Sequence, residues 1–263
     1  MAQYPIADKL YRNAAIHCAT LAITQDVENE AHWPKMAQPN AALRNGTITF
    51  VKTNGRTYGI TCQHVVKHYR DVVAASGNVG TYSMRTMKNG FYVVIDRFMQ
   101  PSPQFGETRP DIAIREICSK HISFIGKEAM NIDTMKDIPE DIKHAYAVGF
   151  PEGMKYHKPD GQLGYRVSLP QVEILAELSR RPDSRFTMFS EIKKPACGIS
   201  YSGMSGGPIF WSTNEGDYGI LGIIYEGAPG KDNKTIYVYG ELASPHVIRE
   251  WIAQCDSWSL EHR

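Results

Sequence analysis

The chemistry available to this chain centres on a serine set among glycines. Gly203, Met204, Ser205, Gly206, Gly207 and Pro208 stand inside the run G-I-S-Y-S-G-M-S-G-G-P-I-F-W. Glycines on both sides allow a tight turn that side chains would forbid, and the N–H groups of such a turn can converge on one point. Convergent donors are what a developing oxyanion needs, each lowering the barrier by about 3 kcal/mol. An alcohol alone is a weak nucleophile, so it needs a base, and the base needs an orienting partner. Thr61-Cys62-Gln63-His64-Val65-Val66 places an imidazole just after an apolar strand-like stretch. Pro110-Asp111-Ile112-Ala113-Ile114 places a carboxylate at the start of another. Taken singly, these are an ordinary turn serine, a core histidine and a strand cap. Taken together with the glycine pattern, they are the parts of an acyl-transfer site.

Other constellations carry less. Cys62 lies two residues before His64, yet nothing around it supplies an oxyanion hole, so a buried structural thiol is expected. His64 and His68 have the i, i+4 spacing that could hold a metal on a helix, but there is no H-E-x-x-H and no third ligand, and no metal is expected. The basic stretch Arg180–Arg185 reads as a solvated turn open to proteolytic nicking.

Three segments in this order resemble the chymotrypsin-like serine peptidases, especially the bacterial branch of high-temperature-requirement proteases, with their T-x-x-H-V, D-I-A and G-x-S-G-G-P segments. His64 precedes Asp111 by 47 residues, and Asp111 precedes Ser205 by 94, close to the family's usual intervals. The resemblance runs from about Gly46 to Trp251. It implies Ser205 as nucleophile, His64 as general base and then acid, and Asp111 as the acceptor that fixes the imidazole. It also implies an oxyanion hole made by the N–H groups of Gly203 and Ser205. Ile199 would floor the pocket for the side chain before the cleaved bond, with Tyr225, Glu226 and Gly227 as its wall. The strand Ile224–Gly227 would pair with substrate backbone.

Departures from the family change what carries over. Met204 stands where pancreatic-type relatives have an aspartate that pairs with a newly cut N-terminus, so activation by propeptide cleavage is not expected. The oxyanion loop must then be ordered by packing or by a regulatory protein partner that selects its ordered form. Apolar Ile199 favours an apolar or small side chain at the cleavage site, while Glu226 either reaches substrate and favours a basic side chain or is a solvated charge on a strand edge. Tyr225 replaces the serine that often supports the triad aspartate, which leaves the support of Asp111 open.

The elements that must position these residues follow from pattern. The 263 residues accommodate an all-β fold of two six-stranded antiparallel β-barrels with a C-terminal α-helix. The expected divisions are an N-terminal barrel over 1–118, a linker over 119–140, a C-terminal barrel over 141–243 and a helix over 244–255, all within one peptidase domain. Asn54-Gly55 and Asn89-Gly90 mark hairpins. A short helix is expected near Ala7–Ala15, and Tyr165–Leu178 reads as one long strand. Ser244-Pro245 reads as the cap of a helix whose stripe is Val247, Ile248, Trp251 and Ile252.

Net charge is +1, with 29 basic and 28 acidic residues scattered along the chain, which argues against a nucleic-acid partner. No stretch reaches transmembrane length, and Met1–Ala22 lacks the apolar core of a signal peptide. Five cysteines without C-x-x-C spacing read as free thiols in a reducing compartment, so a cytoplasmic, bacterial protein is expected. The expected activity is cofactor-free hydrolysis of a polypeptide substrate, switched on by a regulatory protein partner within a stress or defence system. The alternative is a catalytically silent scaffold that binds peptides.

Overall fold

The computed structural model describes residues 14–25, 45–77, 82–88, 91–95, 97–102, 109–159, 165–180, 185–191, 201–213, 215, 217–232 and 234–261. The Asn89-Gly90 turn, Cys197, Ile199, residues 181–184 and nearly all of the helix expected near Ala7–Ala15 lie outside the described residues.

Strands β1 (Cys18–Gln25), β2 (Asn45–Thr53), β3 (Arg56–Thr61), β4 (Tyr82–Lys88), β5 (Phe91–Val94), β6 (Ala113–Glu116) and β7 (Met130–Asn131) form the first lobe. They run in the order β5-β4-β1-β2-β3-β6, with β7 parallel to β2. The six expected strands are present, but they make a curled open sheet rather than a closed barrel. The edge strands β5 and β6 are only four residues each, and beyond its pairing with β3, β6 makes a lone bridge between Ile114 and Met99. The stretch 119–140 contains β7 and the short helix α2 (Ser119–Phe124).

The second lobe is a closed barrel, β11-β12-β15-β14-β13-β8. Its strands are β8 (His144–Gly149), β11 (Val172–Arg180), β12 (Arg185–Glu191), β13 (Pro208–Ser212), β14 (Tyr218–Pro229) and β15 (Thr235–Leu242). The expected long strand from Tyr165 is split. β10 (Tyr165–Ser168) pairs with β9 (Tyr156–Pro159) in a separate hairpin, and Pro170, which has no N–H to give a ladder, stands before β11.

Two helices matter for the site, the first not expected and the second longer than expected. Gln63–Ser76 forms helix α1, so His64 sits in the first turn of a helix rather than on a strand rim. The C-terminal helix α3 (Pro245–Glu261) runs beyond residue 255 and is capped as expected, Val247 N–H donating to Ser244 Oγ at 3.3 Å. Ile248, Trp251 and Ile252 bury against Tyr58, Ile60, Ile114, Val148, Phe210 and Ile223, a core that joins helix and both lobes. Each such side chain contributes about 1.5–3 kcal/mol by leaving water. No described helix is long and apolar enough to cross a membrane.

The alternation Gly46-Thr47-Ile48-Thr49-Phe50-Val51 suggests one dry and one wet face, yet all of Asn45–Val51 is buried. Ile48 and Phe50 fill the first lobe, while the threonines meet the second. Thr47 Oγ1 donates to the Gly203 carbonyl at 2.8 Å and Thr49 Oγ1 to that of Gly206 at 2.7 Å. Thr47 N–H donates to the Ser205 carbonyl at 2.8 Å. Thr47 Oγ1 also accepts from Phe150 N–H at 3.2 Å, and Asn45 Nδ2 donates to the Phe150 carbonyl at 3.1 Å. Replacing Thr47 by Val keeps the shape but leaves a buried carbonyl and N–H unpaired, at about 1–3 kcal/mol per group. Urea denaturation of Thr47→Val is therefore expected to show a lowered midpoint with an unchanged slope.

Candidate active site

Helix α1 begins at Cys62, which offers no side-chain cap of its own. The orphan N–H groups of a first turn need acceptors, and Asp111 supplies them from another segment. Its carbonyl accepts Gln63 N–H at 3.3 Å, and its Oδ1 accepts His64 N–H at 3.0 Å. Its other oxygen, Oδ2, lies 2.5 Å from His64 Nδ1. One carboxylate thus caps the helix and fixes the ring carried by its first turn. The His64 side chain is half exposed and that of Asp111 about a quarter, so the pair faces solvent at the cleft.

Ser205 comes from the turn before β13. Gly203 and Gly206 hold φ of +97° and +93°, a region closed to most side chains. A Cβ on Gly206 would stand 2.0 Å from the Thr47 carbonyl, and one on Gly203 would stand 2.8 Å from that of Phe150. Carbonyls of the turn point inward: Ser205 and Gly203 toward Thr47, and Ser202 toward Glu152 N–H at 2.5 Å. Met204 N–H is used by the Tyr201 carbonyl and Gly206 N–H by that of Ile224. The N–H groups of Gly203 and Ser205 have no acceptor among the described residues. Met204 is fully buried and packs on Gly149, so apolar contact stands where a salt bridge would in pancreatic-type relatives.

His64, Asp111, Ser202, Ser205, Tyr225, Glu226 and Gly227 line one cleft of about 390 Å³. Six of these were expected; Ser202 was not, although it lies only three residues before Ser205. Ile199 lies outside the described residues. The Ser205 hydroxyl donates to the Tyr225 carbonyl at 3.0 Å rather than to the imidazole. Pairing of β14 with β13 ends at Ile223, while its other edge stays paired with β15 as far as Pro229. Gly227 packs on Tyr201, where a Cβ would stand 2.9 Å from the Tyr201 Cβ. Glu226 is exposed, as its solvated reading requires.

Two charged residues near the cleft went unrecognised in the sequence. Glu241 Oε1 accepts the backbone N–H of Asp111 at 3.3 Å, and Arg185, expected in a solvated turn, pairs with Glu241 at 3.0 Å. No spacing motif marks either residue.

Cys62, His64 and Asp111 bring a thiol, an imidazole and a carboxylate within 4.8 Å of one another, all groups able to bind a cation. The thiol is fully buried and donates to the Ile224 carbonyl at 3.0 Å. Burial first, and then the negative fields of Asp111 and Glu241, push it well above its ordinary pKa. Its S–H is held by a main-chain acceptor of the second lobe, the arrangement of a buried packing thiol. Burial likewise pushes Cys18 up to about 12.

No family model and no curated protein sequence matches the chain. Solved structures do. It is similar to the thermostable serine protease AL20 from an extremophilic microorganism, with a TM-score of 0.50 and 12% identity, over 92% of this chain and 99% of that one. It is also similar to the protease Anisep from Arthrobacter nicotinovorans, with a TM-score of 0.47, 11% identity and coverage of 96% and 98%. For human heparin binding protein the values are 0.46, 9%, and 89% of each chain. None of these places the chain in the high-temperature-requirement branch. What the first of them and the topology above establish together is the architecture: this chain has the chymotrypsin-like serine protease fold.

Proposed function

We propose that the protein is a serine endopeptidase that cleaves peptide bonds through an acyl-enzyme on Ser205. The observation that carries this reading is the 2.5 Å contact between His64 Nδ1 and Asp111, in the same cleft as Ser205 and beside two N–H groups without acceptors among the described residues. Asp111 holds the imidazole so that Nε2 is the nitrogen left for the substrate side. Rotation about the Cα–Cβ bond of Ser205 carries its hydroxyl from the Tyr225 carbonyl toward that nitrogen; such bonds often tighten only when substrate is bound.

His64 then takes the hydroxyl proton as Oγ attacks the scissile carbonyl, and the oxyanion meets the N–H groups of Gly203 and Ser205. The imidazolium returns the proton to the leaving amine, and water, activated by the same ring, releases the acyl group. The edge of β14 beyond Ile223 supports binding of an extended peptide as an added strand, with Tyr225–Gly227 along it. The packing of Met204 supports an oxyanion loop ordered within the chain itself. Activity of the isolated chain follows, and labelling that appeared only on adding a partner would favour a regulated enzyme instead.

A second reading has its own support. The hydroxyl of Ser205 rests on Tyr225 and not on His64, which suits a silent scaffold that binds peptides in the cleft. A fluorophosphonate probe separates the two. Mass spectrometry is expected to find the adduct on Ser205 and no adduct in Ser205→Ala; an unreactive wild-type chain would favour the scaffold.

The Asp111→Asn variant is expected to lower kcat by about 10⁴-fold, the loss that follows when such an imidazole is held in the wrong tautomer. Steady-state hydrolysis of a peptide ester measures it, and near-normal turnover would remove Asp111 from the mechanism.

A further inference from the structure

An ion pair of the second lobe, its carboxylate buried and its guanidinium partly exposed, reaches Asp111 across the seam. Glu241 on β15 is only 1% exposed, and its Oε1 accepts the Asp111 N–H at 3.3 Å. Arg185, its register partner on β12, approaches the same oxygen with two nitrogens, each at 3.0 Å. The guanidinium also lies 5.0 Å from the ring centroid of Tyr225, whose carbonyl accepts the Ser205 hydroxyl. Among the described hydrogen bonds, the one from Asp111 N–H to Glu241 is what ties Asp111 itself to the second lobe.

Stability alone does not call for this arrangement. Desolvation offsets most of the attraction within a buried pair, and two apolar side chains would hold the strands together as well. An apolar pair, however, offers no acceptor to the Asp111 backbone. An unpaired Glu241 would add a second negative charge behind the imidazole's own carboxylate.

We propose that Glu241 and Arg185 are positioning residues for the His64–Asp111 pair, Glu241 anchoring the Asp111 backbone from the opposite lobe and Arg185 cancelling the charge that this anchor brings. The proposal rests on the reading of Asp111 as the partner that orients His64. The other titratable groups around the imidazole are Cys62 and Asp111 themselves and Glu226 on the cleft wall, with Lys67, His68 and Asp71 following on α1. None of these is altered by changing the pair.

The test follows the ring resonances of His64 by NMR as pH is varied, alongside kcat and KM. In Arg185→Met the bare Glu241 charge favours the imidazolium, and the midpoint is expected to rise. In Glu241→Gln, which keeps an acceptor oxygen but removes the anchor's negative charge, it is expected to fall. Each change should be about one pH unit, the effect of a nearby charge at an effective dielectric of about 20. The double variant should return to the wild-type midpoint, and Arg185→Lys should stay near it. Glu241→Ala should lose about 10²-fold in kcat with little change in KM, the scale of a small misplacement, while Glu241→Gln loses much less. Midpoints that do not move, or that move in the same direction in both single variants, would overturn the proposal. Should Arg185→Met fail to fold, the fall in Glu241→Gln still decides the matter. The NMR measurement needs no turnover, so a wild-type chain inert to fluorophosphonate would sink the peptidase reading and leave this one standing or falling separately.

Discussion

The molecule depends on hydrogen bonds that cross from β2 of the first lobe to the turn holding Ser205 in the second. Thr47 and Thr49 take the carbonyls of Gly203, Ser205 and Gly206 through two hydroxyls and one N–H. A peptide unit that sends its carbonyl one way sends its N–H the other. The Ser202 carbonyl, drawn toward Glu152 N–H, and the Met204 carbonyl, which accepts Gly207 N–H, therefore constrain where the N–H groups of Gly203 and Ser205 can face. The geometry of the turn is set by polar contacts at a buried seam, where leaving any of them unmade is costly.

The same seam explains why charged and polar groups cluster there. Tyr225 receives the Ser205 hydroxyl, Ile224 receives the Cys62 thiol, and Glu241 receives the Asp111 N–H. Each is a contact between lobes or between a lobe and the turn that holds Ser205. Apolar clusters fill the interior of each lobe separately, and the third cluster, with α3, holds the lobes in register. Packing thus brings the halves together, and the polar contacts choose their alignment.

Much of this was legible in the sequence because some residues announce their roles through spacing. The glycines around Ser205 mark a turn no other residues could form, and Asn54-Gly55 marks the β2–β3 hairpin. The closed second barrel follows from strands separated by clear turn signals. The helix after Cys62 was missed although Val65, Val66 and Tyr69 carry a helical repeat and Gly77 a stop, because His64 was placed at the rim of the strand that ends at Cys62. The alternation in β2 reports two unlike faces without saying what covers the polar one, so the seam role of its threonines stays hidden in the sequence. Glu241 and Arg185 carried no signal at all: a charge on the outer face of a strand looks solvated until the other lobe is laid over it.

Asp111 holds two offices, and they have different histories to tell. Its carbonyl and one carboxylate oxygen finish the start of α1, and only the other oxygen turns toward the imidazole ring. A chain of this fold that cleaves no bond would still need an acid at this place to keep its helix. Retention of the aspartate across a lineage is therefore a record of architecture, whereas the alcohol at 205, whose hydroxyl meets one carbonyl, carries no such second duty.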